Sequence, residues 1–472
     1  MGWDAMSKKQ KAVFGKTKHV PQSNTTSTGK NFLGHGAFQL ARITRVTSPF
    51  FKAFSTKDCK NGQISEMILG FVKISLTWTA LLTASVAALS PLSALPTQEA
   101  PSTLPATFTD RPVFWIPDTG SGWIEFDQKS DIIVIPVVLN GHPTKAMIDT
   151  GFDQLVMSKA YADAHHLPLT PWAKPDSVGG PTQLYTTPSV TLDVGAIRTT
   201  KPGAVTVVDL SRLNATGLAD VEVVIGLPIL GVFEWQVDQD HHRFRLLSSG
   251  SIPIPDGIPI RVGPNNSRLV TDVSINGQSV SPTMIDTGSD SEVSISLAVA
   301  ERTRFKPQTD IASVGAGGMV AQPLGRLTDF TLGAYRVSDA YATVEHANWW
   351  GAKEVRALIG MGVLRNYNVT VNLTAGRMLL EPRVLPSKPA YRSTSGIQGY
   401  TRNGRLSVAH VMSRSPAAAA KLKPGDEICF INHKAVSKDL VEDYFAHAAP
   451  RTKHLLTLCD GASRTITLRR FY

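Results

Sequence analysis

The chain has 472 residues, which at about 150 residues per domain predicts roughly three domains. Apolar residues make up 42% and charged residues 18%, a balance that excludes collagen-like and wholly disordered chains. The net charge of +10 is concentrated in residues 1–66, which contain eleven Lys or Arg and three Asp or Glu. The rest of the chain therefore lacks the basic surface of a nucleic-acid-binding protein, and no nucleic-acid partner is expected.

An uncharged apolar stretch at residues 74–89 is the first recognisable element. A membrane-spanning helix needs about 20 apolar residues, and this stretch is shorter. Lys73 precedes it and small residues follow it, with cleavage candidates at Ala88 and Ala94, which is typical of a signal peptide. Residues 67–94 are therefore expected to be a signal peptide or a membrane anchor.

Met67 lies where such a signal peptide would begin, so residues 1–66 are interpreted as a basic, poorly ordered extension or an over-long start. A basic, acid-poor organellar transit region and an uncleaved membrane anchor are the alternatives. Residues 95–130 are rich in Pro, Thr and Ser and predict a linker. We expect an exported protein, periplasmic or secreted, that contacts a membrane only if the apolar segment is uncleaved.

Three cysteines, Cys59, Cys429 and Cys459, are too few for a disulfide scaffold. No CxxC or HExxH motif is present, so neither a metal nor another cofactor is expected. Cys429 and Cys459 either pair in an oxidising compartment or are buried free thiols. The second interpretation is favoured because free Cys is among the most buried residue types. The adjacent histidines at 165–166 and 241–242 are predicted to be surface residues.

An internal duplication is the most informative feature of the sequence. Residues 145–158 read KAMIDTGFDQLVMS, and residues 282–296 read PTMIDTGSDSEVSIS. Each segment follows an Asn-Gly pair, Asn140–Gly141 or Asn276–Gly277, that is preceded by alternating apolar residues. This pattern predicts a β-hairpin. Each Asp-Thr-Gly is therefore expected immediately after the second strand of a hairpin.

A second shared block contains Gly226 in one copy and Gly360 in the other, and matching residues keep the same spacing over the 18 residues that begin at each glycine, up to Arg243 and Arg377. The chain therefore contains two copies of one unit, residues 131–248 and 258–382. Both copies are rich in Val, Ile, Thr and aromatic residues, with turn signals every 8–12 residues. This spacing favours small β-barrel or sandwich lobes over alternating strands and helices.

Each copy also has a glycine-rich turn between its two blocks, formed by Gly179 and Gly180 in the first copy and by Gly315, Gly317 and Gly318 in the second. Two interpretations remain open. The glycines allow positive φ at a hairpin tip, or the turn is a mobile flap over a cleft.

The paired Asp-Thr-Gly turns, each followed by an apolar-apolar-Gly block, resemble aspartic proteases. The short lobes and the Gly-x-Asp continuation at 151–153 and 288–290 resemble the retropepsin-like branch, here with two copies fused in one chain. The resemblance implies a mainly β fold with two pseudo-twofold-related lobes. It also implies that Asp149 and Asp286 are the catalytic residues.

The resemblance assigns supporting roles to the rest of each turn. Thr150 and Thr287 would hydrogen-bond across the lobe interface and hold the two loops rigid. Gly151 and Gly288 would let backbone N–H groups approach the carboxylates.

Two carboxyl groups about 3 Å apart cannot both ionise, so one keeps its proton as the acid while the other acts as the base. Such a pair activates water and hydrolyses a peptide bond without a covalent intermediate. In one copy alone, Asp would be read as a turn stabiliser, but two copies in register favour catalysis. We expect an aspartic endopeptidase that acts on proteins or peptides. The alternative is an inactive peptide-binding protein of the same fold, because Phe152 replaces the small residue that is usual in the family.

Residues 396–472 form the last predicted unit. Ser415 and Pro416 precede four alanines and predict a helix start, and Pro424–Gly425 predicts a turn between strands. The segment resembles a bacterial PDZ domain, a small α/β domain. The resemblance implies a loop that receives protein C-termini or a domain that gates the cleft, with a domain that binds no ligand as the alternative. The predicted loop is Gln398, Gly399 and Tyr400.

Overall fold

The computed structural model describes residues 111–127, 131–215, 220–263, 268–345, 354–385, 392–441, 444–445 and 450–472. The predicted N-terminal extension, the signal peptide or anchor, most of the linker and Cys59 lie outside the described residues. Within the described ranges, no helix is long and apolar enough to cross a membrane.

Lobe 1 is built on an eight-stranded sheet. The order of its strands is β10-β3-β4-β13-β5-β12-β9-β6. Its described elements are β1 (Val113–Trp115), β2 (Ile124–Glu125), β3 (Val134–Leu139), β4 (His142–Ile148), β5 (Leu155–Ser158), α1 (Lys159–Ala164), β6 (Thr170–Ala173), β7 (Asp176–Ser177), β8 (Gly180–Pro181), β9 (Leu184–Val190), β10 (Leu192–Asp193), β11 (Arg198–Lys201), β12 (Gly203–Val208), α2 (Ser211–Asn214), β13 (Val223–Ile225), α3 (Leu227–Leu230), β14 (Glu234–Asp238) and β15 (Arg243–Leu247).

Lobe 2 repeats this plan. Its main sheet has the order β21-β22-β25-β20-β26-β19-β18-β23-β24, with β17 also paired to β18. Its described elements are β16 (Ile258–Pro259), β17 (Arg261–Val262), β18 (Leu269–Ile275), β19 (Gln278–Ile285), β20 (Val293–Ser296), α4 (Leu297–Arg302), β21 (Thr309–Gly315), β22 (Gly318–Arg326), β23 (Phe330–Leu332), β24 (Tyr335–Arg336), β25 (Tyr341–Glu345), β26 (Ala357–Ile359), α5 (Met361–Leu364), β27 (Tyr367–Asn372) and β28 (Arg377–Pro382).

The strand pairing shows that the two lobes are copies of one unit. In lobe 1, β13 runs parallel to β4 and antiparallel to β5. In lobe 2, β26 runs parallel to β19 and antiparallel to β20. Both Asn-Gly pairs are two-residue turns between paired strands, with positive φ at each turn residue. The prediction of a mainly β fold with two repeated lobes is therefore confirmed.

A six-stranded sheet joins the lobes in the order β16-β28-β27-β14-β15-β2. Its central pair combines β14 of lobe 1 with β27 of lobe 2. Beside it, the buried Asp240 carboxylate of lobe 1 accepts hydrogen bonds from Asn368 and Arg383 of lobe 2, at 2.9 and 3.1 Å. The lobes therefore share a sheet and an ion pair as well as an apolar core.

The C-terminal domain has its own sheet and a separate apolar core. Ser415 caps the helix that starts at Pro416, because its hydroxyl accepts the Ala418 N–H at 3.1 Å. The order of the strands is β29-β30-β31-β33-β34, with β32 beside β31. The described elements are β29 (Ile397–Arg402), β30 (Arg405–Val411), α6 (Pro416–Ala419), β31 (Glu427–Ile431), β32 (Lys434–Ala435), α7 (Lys438–Val441), β33 (Lys453–Leu458) and β34 (Ser463–Thr467).

The preference for two free thiols in this domain is wrong, because Cys429 and Cys459 form a disulfide. Cys429 lies in β31 and Cys459 directly follows β33, and these two strands are paired. The pairing brings the two Cα atoms to 5.1 Å across a sequence separation of 30 residues, within the range that a disulfide spans.

Candidate active site

Asp149 and Asp286 occupy equivalent loops at the ends of β4 and β19. The Asp149 N–H donates to the Ile225 carbonyl at 3.0 Å, and the Asp286 N–H donates to the Ile359 carbonyl at 2.9 Å. Both acceptors belong to the second sequence block, in β13 and β26. This explains why each Asp-Thr-Gly is accompanied by that block, since the block holds the start of the loop.

Thr150 and Thr287 join the two loops through four hydrogen bonds. The Thr150 N–H donates to Thr287 Oγ1, and the Thr287 N–H donates to Thr150 Oγ1, both at 3.1 Å. The Thr150 hydroxyl donates to the Ile285 carbonyl at 2.7 Å, and the Thr287 hydroxyl donates to the Ile148 carbonyl at 2.9 Å. Both side chains are fully buried. Each threonine therefore fixes the opposite lobe as well as its own.

Gly151 and Gly288 lie directly against the aspartate of the opposite lobe. The Gly151 N–H donates to Asp149 Oδ1 at 2.8 Å, and the Gly288 N–H donates to Asp286 Oδ1 at 2.9 Å. A Cβ at Gly151 would lie 2.5 Å from Asp286 Cγ, and one at Gly288 would lie 2.3 Å from Asp149 Cγ. No side chain fits at either position, so glycine is what allows the two carboxyl groups to meet.

The two carboxyl groups lie within hydrogen-bonding reach of each other, and a bond between them forms when one of them carries a proton. Enclosure by protein, followed by the negative charge of Asp286, raises the pKa of Asp149 well above its usual range. Enclosure also raises the pKa of Asp286, against hydrogen bonds from the Gly288 N–H and from Asp149 that lower it. Both side chains keep a partly exposed surface. An acid and a base can therefore coexist in one accessible site.

Comparison with known proteins agrees with this geometry. A family model described as aspartyl protease matches residues 135–229 and, a second time, residues 271–363. Both lobes match the aspartyl protease family. Each matched segment contains its Asp-Thr-Gly loop and the glycine block that supports the loop, and the match supports a protease function.

More distant comparisons add little to the aspartyl protease match. No curated protein matches the chain. A crystal structure of a retropepsin-like aspartic protease from Rickettsia conorii is 16% identical, with a TM-score of 0.19. The matched region covers 23% of this chain and 78% of that one.

Arg268 is a charged residue of the site that the sequence did not reveal. It lies immediately before β18 and is 8% exposed. Its guanidinium lies 3.5 Å from the Asp153 carboxylate of the opposite lobe, and its positive charge lowers the pKa of both Asp149 and Asp286. This charge therefore opposes the effect of enclosure. Only the contact across the interface, which no local pattern encodes, identifies Arg268.

Phe152 follows the first Asp-Thr-Gly, where Ser289 follows the second. The Phe152 ring packs against the apolar core, and its carbonyl accepts the Leu227 N–H at 2.9 Å. The bulky side chain does not change the hydrogen bonds of the Asp149 loop, which match those of the Asp286 loop in lobe 2.

The glycine-rich turns of the two lobes meet each other. The Gly317 N–H, at the tip of the β21–β22 hairpin, donates to the Val178 carbonyl in the lobe-1 turn between β7 and β8 at 3.1 Å. A Cβ at Gly179 would lie 2.2 Å from the backbone of Gly318, and Gly179, Gly180 and Gly318 all have positive φ. The positive φ angles therefore favour glycine at these positions, as predicted for a hairpin tip. The tips of the two turns also contact each other and so bridge the lobes.

The three residues of the predicted peptide loop all lie in β29. Gln398 contacts the backbone of Ala312 in lobe 2, Gly399 pairs with Val408 of β30, and the Tyr400 side chain is half-exposed. They are therefore on an edge strand next to lobe 2.

Other clusters contribute nothing to this site. Among the residues that the structure describes, no group of three His, Cys, Asp or Glu side chains could hold a metal ion. His165 stacks on Tyr161, and His241 pairs with Asp238. A cavity of about 320 Å³ lies between residues 111–116 and lobe 1, and none of its lining residues belongs to the aspartate pair.

Proposed function

We propose that the chain is an aspartic endopeptidase that hydrolyses peptide bonds with a water activated by Asp149 and Asp286. The observation that carries this proposal is the pair of carboxyl groups, which lie within hydrogen-bonding reach of each other in a rigid, partly exposed site. The ionised carboxylate takes a proton from water, whose oxygen attacks the peptide carbonyl carbon while the protonated carboxyl gives its proton to the carbonyl oxygen. The C–N bond then breaks, and the leaving nitrogen takes up the proton abstracted from water.

The pair is active only while it holds a single proton, so we expect activity between its two pKa values, and the raised pKa of Asp149 extends that range to a higher pH than an ordinary aspartate would allow. As the pH rises past the higher pKa, both groups ionise and the acid is lost. The alternative of an inactive peptide-binding protein depended on Phe152. The packing of that ring against the core gives this alternative no support.

The test is cleavage of an unfolded protein between pH 3 and 7. We expect Asp286→Asn to lose activity by roughly 10³-fold, the scale of a lost general acid or base. Asp272→Asn is the matched control, because Asp272 is an exposed carboxylate of the same lobe, and it should behave as the wild type. Equal cleavage by the wild type and Asp286→Asn, or no cleavage by the wild type, would reject the proposal.

We also propose that the protein is exported and that its C-terminal domain is a PDZ domain that binds peptide C-termini. The Cys429–Cys459 disulfide supports export, because disulfides persist in oxidising compartments. The edge position of β29 supports peptide binding, because an extended ligand can add to such a strand. N-terminal sequencing of the mature protein should give a start near residue 89 or 95, whereas an intact Met1 would contradict cleavage.

A further inference from the structure

The outer strand of the lobe-2 hairpin, β21, is an edge of its sheet. Edge strands expose backbone groups that need a partner. Here the Ala312 N–H donates to Gln398 Oε1 at 2.7 Å, and Gln398 Nε2 donates to the Ala312 carbonyl at 3.3 Å. One side chain of the C-terminal domain therefore satisfies both backbone groups of Ala312, as a neighbouring strand would.

The contact continues along the same strand. The Thr309 hydroxyl donates to the Ser413 carbonyl at 2.7 Å, and the Ser413 N–H donates to the Asp310 carboxylate. Arg414 donates to the Gln308 carbonyl at 3.1 Å. The C-terminal domain therefore holds the hairpin from residue 308 to residue 312.

An apolar contact supports these hydrogen bonds. Met412 of the C-terminal domain is 1% exposed and packs with Leu324 of β22 and Tyr341 of β25. This cluster is separate from the main cores of the lobes and of the C-terminal domain. The hairpin base is therefore anchored by side chains from the C-terminal domain.

The tip of the hairpin is held independently by lobe 1. Besides the bond from the Gly317 N–H to Val178, the Arg212 guanidinium donates to the Gly317 carbonyl at 2.5 Å. The hairpin therefore has two restraints, one at its tip and one along its outer strand. Opening at the tip breaks the contacts with Val178 and Arg212, while the second restraint limits how far the hairpin can swing.

We propose that the C-terminal domain is a latch on the lobe-2 hairpin. Gln398 holds both backbone groups of Ala312, and the Ser413 carbonyl accepts a hydrogen bond from the Thr309 hydroxyl. Loss of these contacts frees the outer strand of the hairpin and lets the hairpin open farther from lobe 1. The consequence for proteolysis rests on the proposed function, whereas the latch itself does not.

Hydrogen–deuterium exchange of the full chain tests the latch without any reference to proteolysis. Gln398→Ala removes the acceptor of the Ala312 N–H, and we expect exchange in residues 309–315 to accelerate by about fivefold, the equivalent of one lost hydrogen bond. Thr309→Val, which alters the latch from the lobe-2 side, should accelerate the same segment. Arg402→Ala, an exposed change on β29 itself, is the control and should leave it unchanged. Wild-type exchange in both Gln398→Ala and Thr309→Val would overturn the latch.

The consequence for proteolysis is tested separately. If the protease proposal holds, Gln398→Ala should raise kcat/KM for an unfolded protein, whereas Arg402→Ala should leave it unchanged. If the chain proves inactive, the exchange results still decide the latch.

Discussion

The two lobes share their Asp-Thr-Gly loops but differ in the sheet behind them. Strand register gives three equivalent positions on β5, β9 and β12 of lobe 1 and on β20, β22 and β25 of lobe 2. In lobe 1 these positions hold buried apolar residues, Val156, Leu184 and Val208. In lobe 2 they hold buried polar residues, Ser294, Gln322 and Glu345. The repeat therefore preserves the parts that hold the aspartates and varies the parts that carry the hairpin.

The buried polar residues of lobe 2 contact both strands of the β21–β22 hairpin. Gln322 of β22 and Ser294 lie beside Glu345 and lower the pKa of its carboxyl group against the effect of burial, and Gln322 accepts a hydrogen bond from Ser313 of β21. The C-terminal domain packs on the same two hairpin strands through Met412. The Asp-Thr-Gly loops of the two lobes are therefore alike, whereas the hairpin that contacts the C-terminal domain belongs to lobe 2.

The largest effect is expected where the two lobes are joined. Asp240→Asn removes the charge that faces the mostly buried Arg383, and we expect a loss of about 3–5 kcal/mol in the free energy of unfolding. Although burial raises the pKa of Asp240, hydrogen bonds from Asn368, the backbone N–H groups of Val384 and Leu385, and Arg383 lower it further, to below its usual range. The stabilisation is therefore present above the unfolded-state pKa and is lost as the pH falls below about 4.

Urea unfolding at pH 7 and at pH 3 measures this difference. The control is Asp339→Asn, because the Arg326–Asp339 pair is exposed and should contribute at most about 1 kcal/mol. Equal losses for the buried and the exposed pair would mean that the lobes do not depend on the Asp240 contacts.

The second prediction concerns Glu345, one of the buried polar residues that lobe 1 lacks. Burial raises the pKa of Glu345 from 4.5 to about 7. Its folded-state pKa is raised, so its stabilising effect is complete below pH 4.5 and is lost as the pH rises through about 7. Glu345→Gln stays neutral, so we expect it to gain up to about 3 kcal/mol relative to the wild type between those limits.

Thermal or urea unfolding at several pH values between 4 and 8 would show this gain. Glu301→Gln, an exposed change in α4 of the same lobe, should follow the wild type throughout. A constant difference between Glu345→Gln and the wild type across this pH range would show that the buried carboxyl does not titrate there.

Features encoded by local pattern could be predicted from the sequence. The Asn-Gly turns, the cap at Ser415 and the repeated Asp-Thr-Gly each depend on a few adjacent residues, and the duplication turned one ambiguous motif into a pair. The pair then implied a place where Asp149 and Asp286 meet. Local pattern was therefore sufficient for the fold class and for the position of the aspartates.

Features that depend on contacts between distant residues could not be predicted. Nothing in the local sequence distinguishes Arg268 from other arginines, and only the fold places its guanidinium 3.5 Å from the Asp153 carboxylate. Cys429 and Cys459 are 30 residues apart, and only the pairing of β31 with β33 brings them together. The glycines suggested two separate turns, but their sequence does not encode that the tip at Gly317 touches Val178. Each of these contacts follows from how whole elements pack.

The smallest expected effect tests the symmetry itself. Thr150→Val leaves the Thr287 N–H and the Ile285 carbonyl without their partner, and Thr287→Val does the same to the Thr150 N–H and the Ile148 carbonyl. Each variant leaves one buried donor and one buried acceptor without a hydrogen-bond partner, so we expect each to lower the free energy of unfolding by roughly 2 kcal/mol. The exposed Thr200 hydroxyl, which donates to the Val113 carbonyl, provides the control through Thr200→Val. Because the two Asp-Thr-Gly loops are bonded in the same way, the two losses should agree within about 0.5 kcal/mol. A clearly larger loss for one variant would mean that one threonine contributes more than the other to joining the loops, and the Asp-Thr-Gly loops of the two lobes would then be as unequal as the sheets behind them.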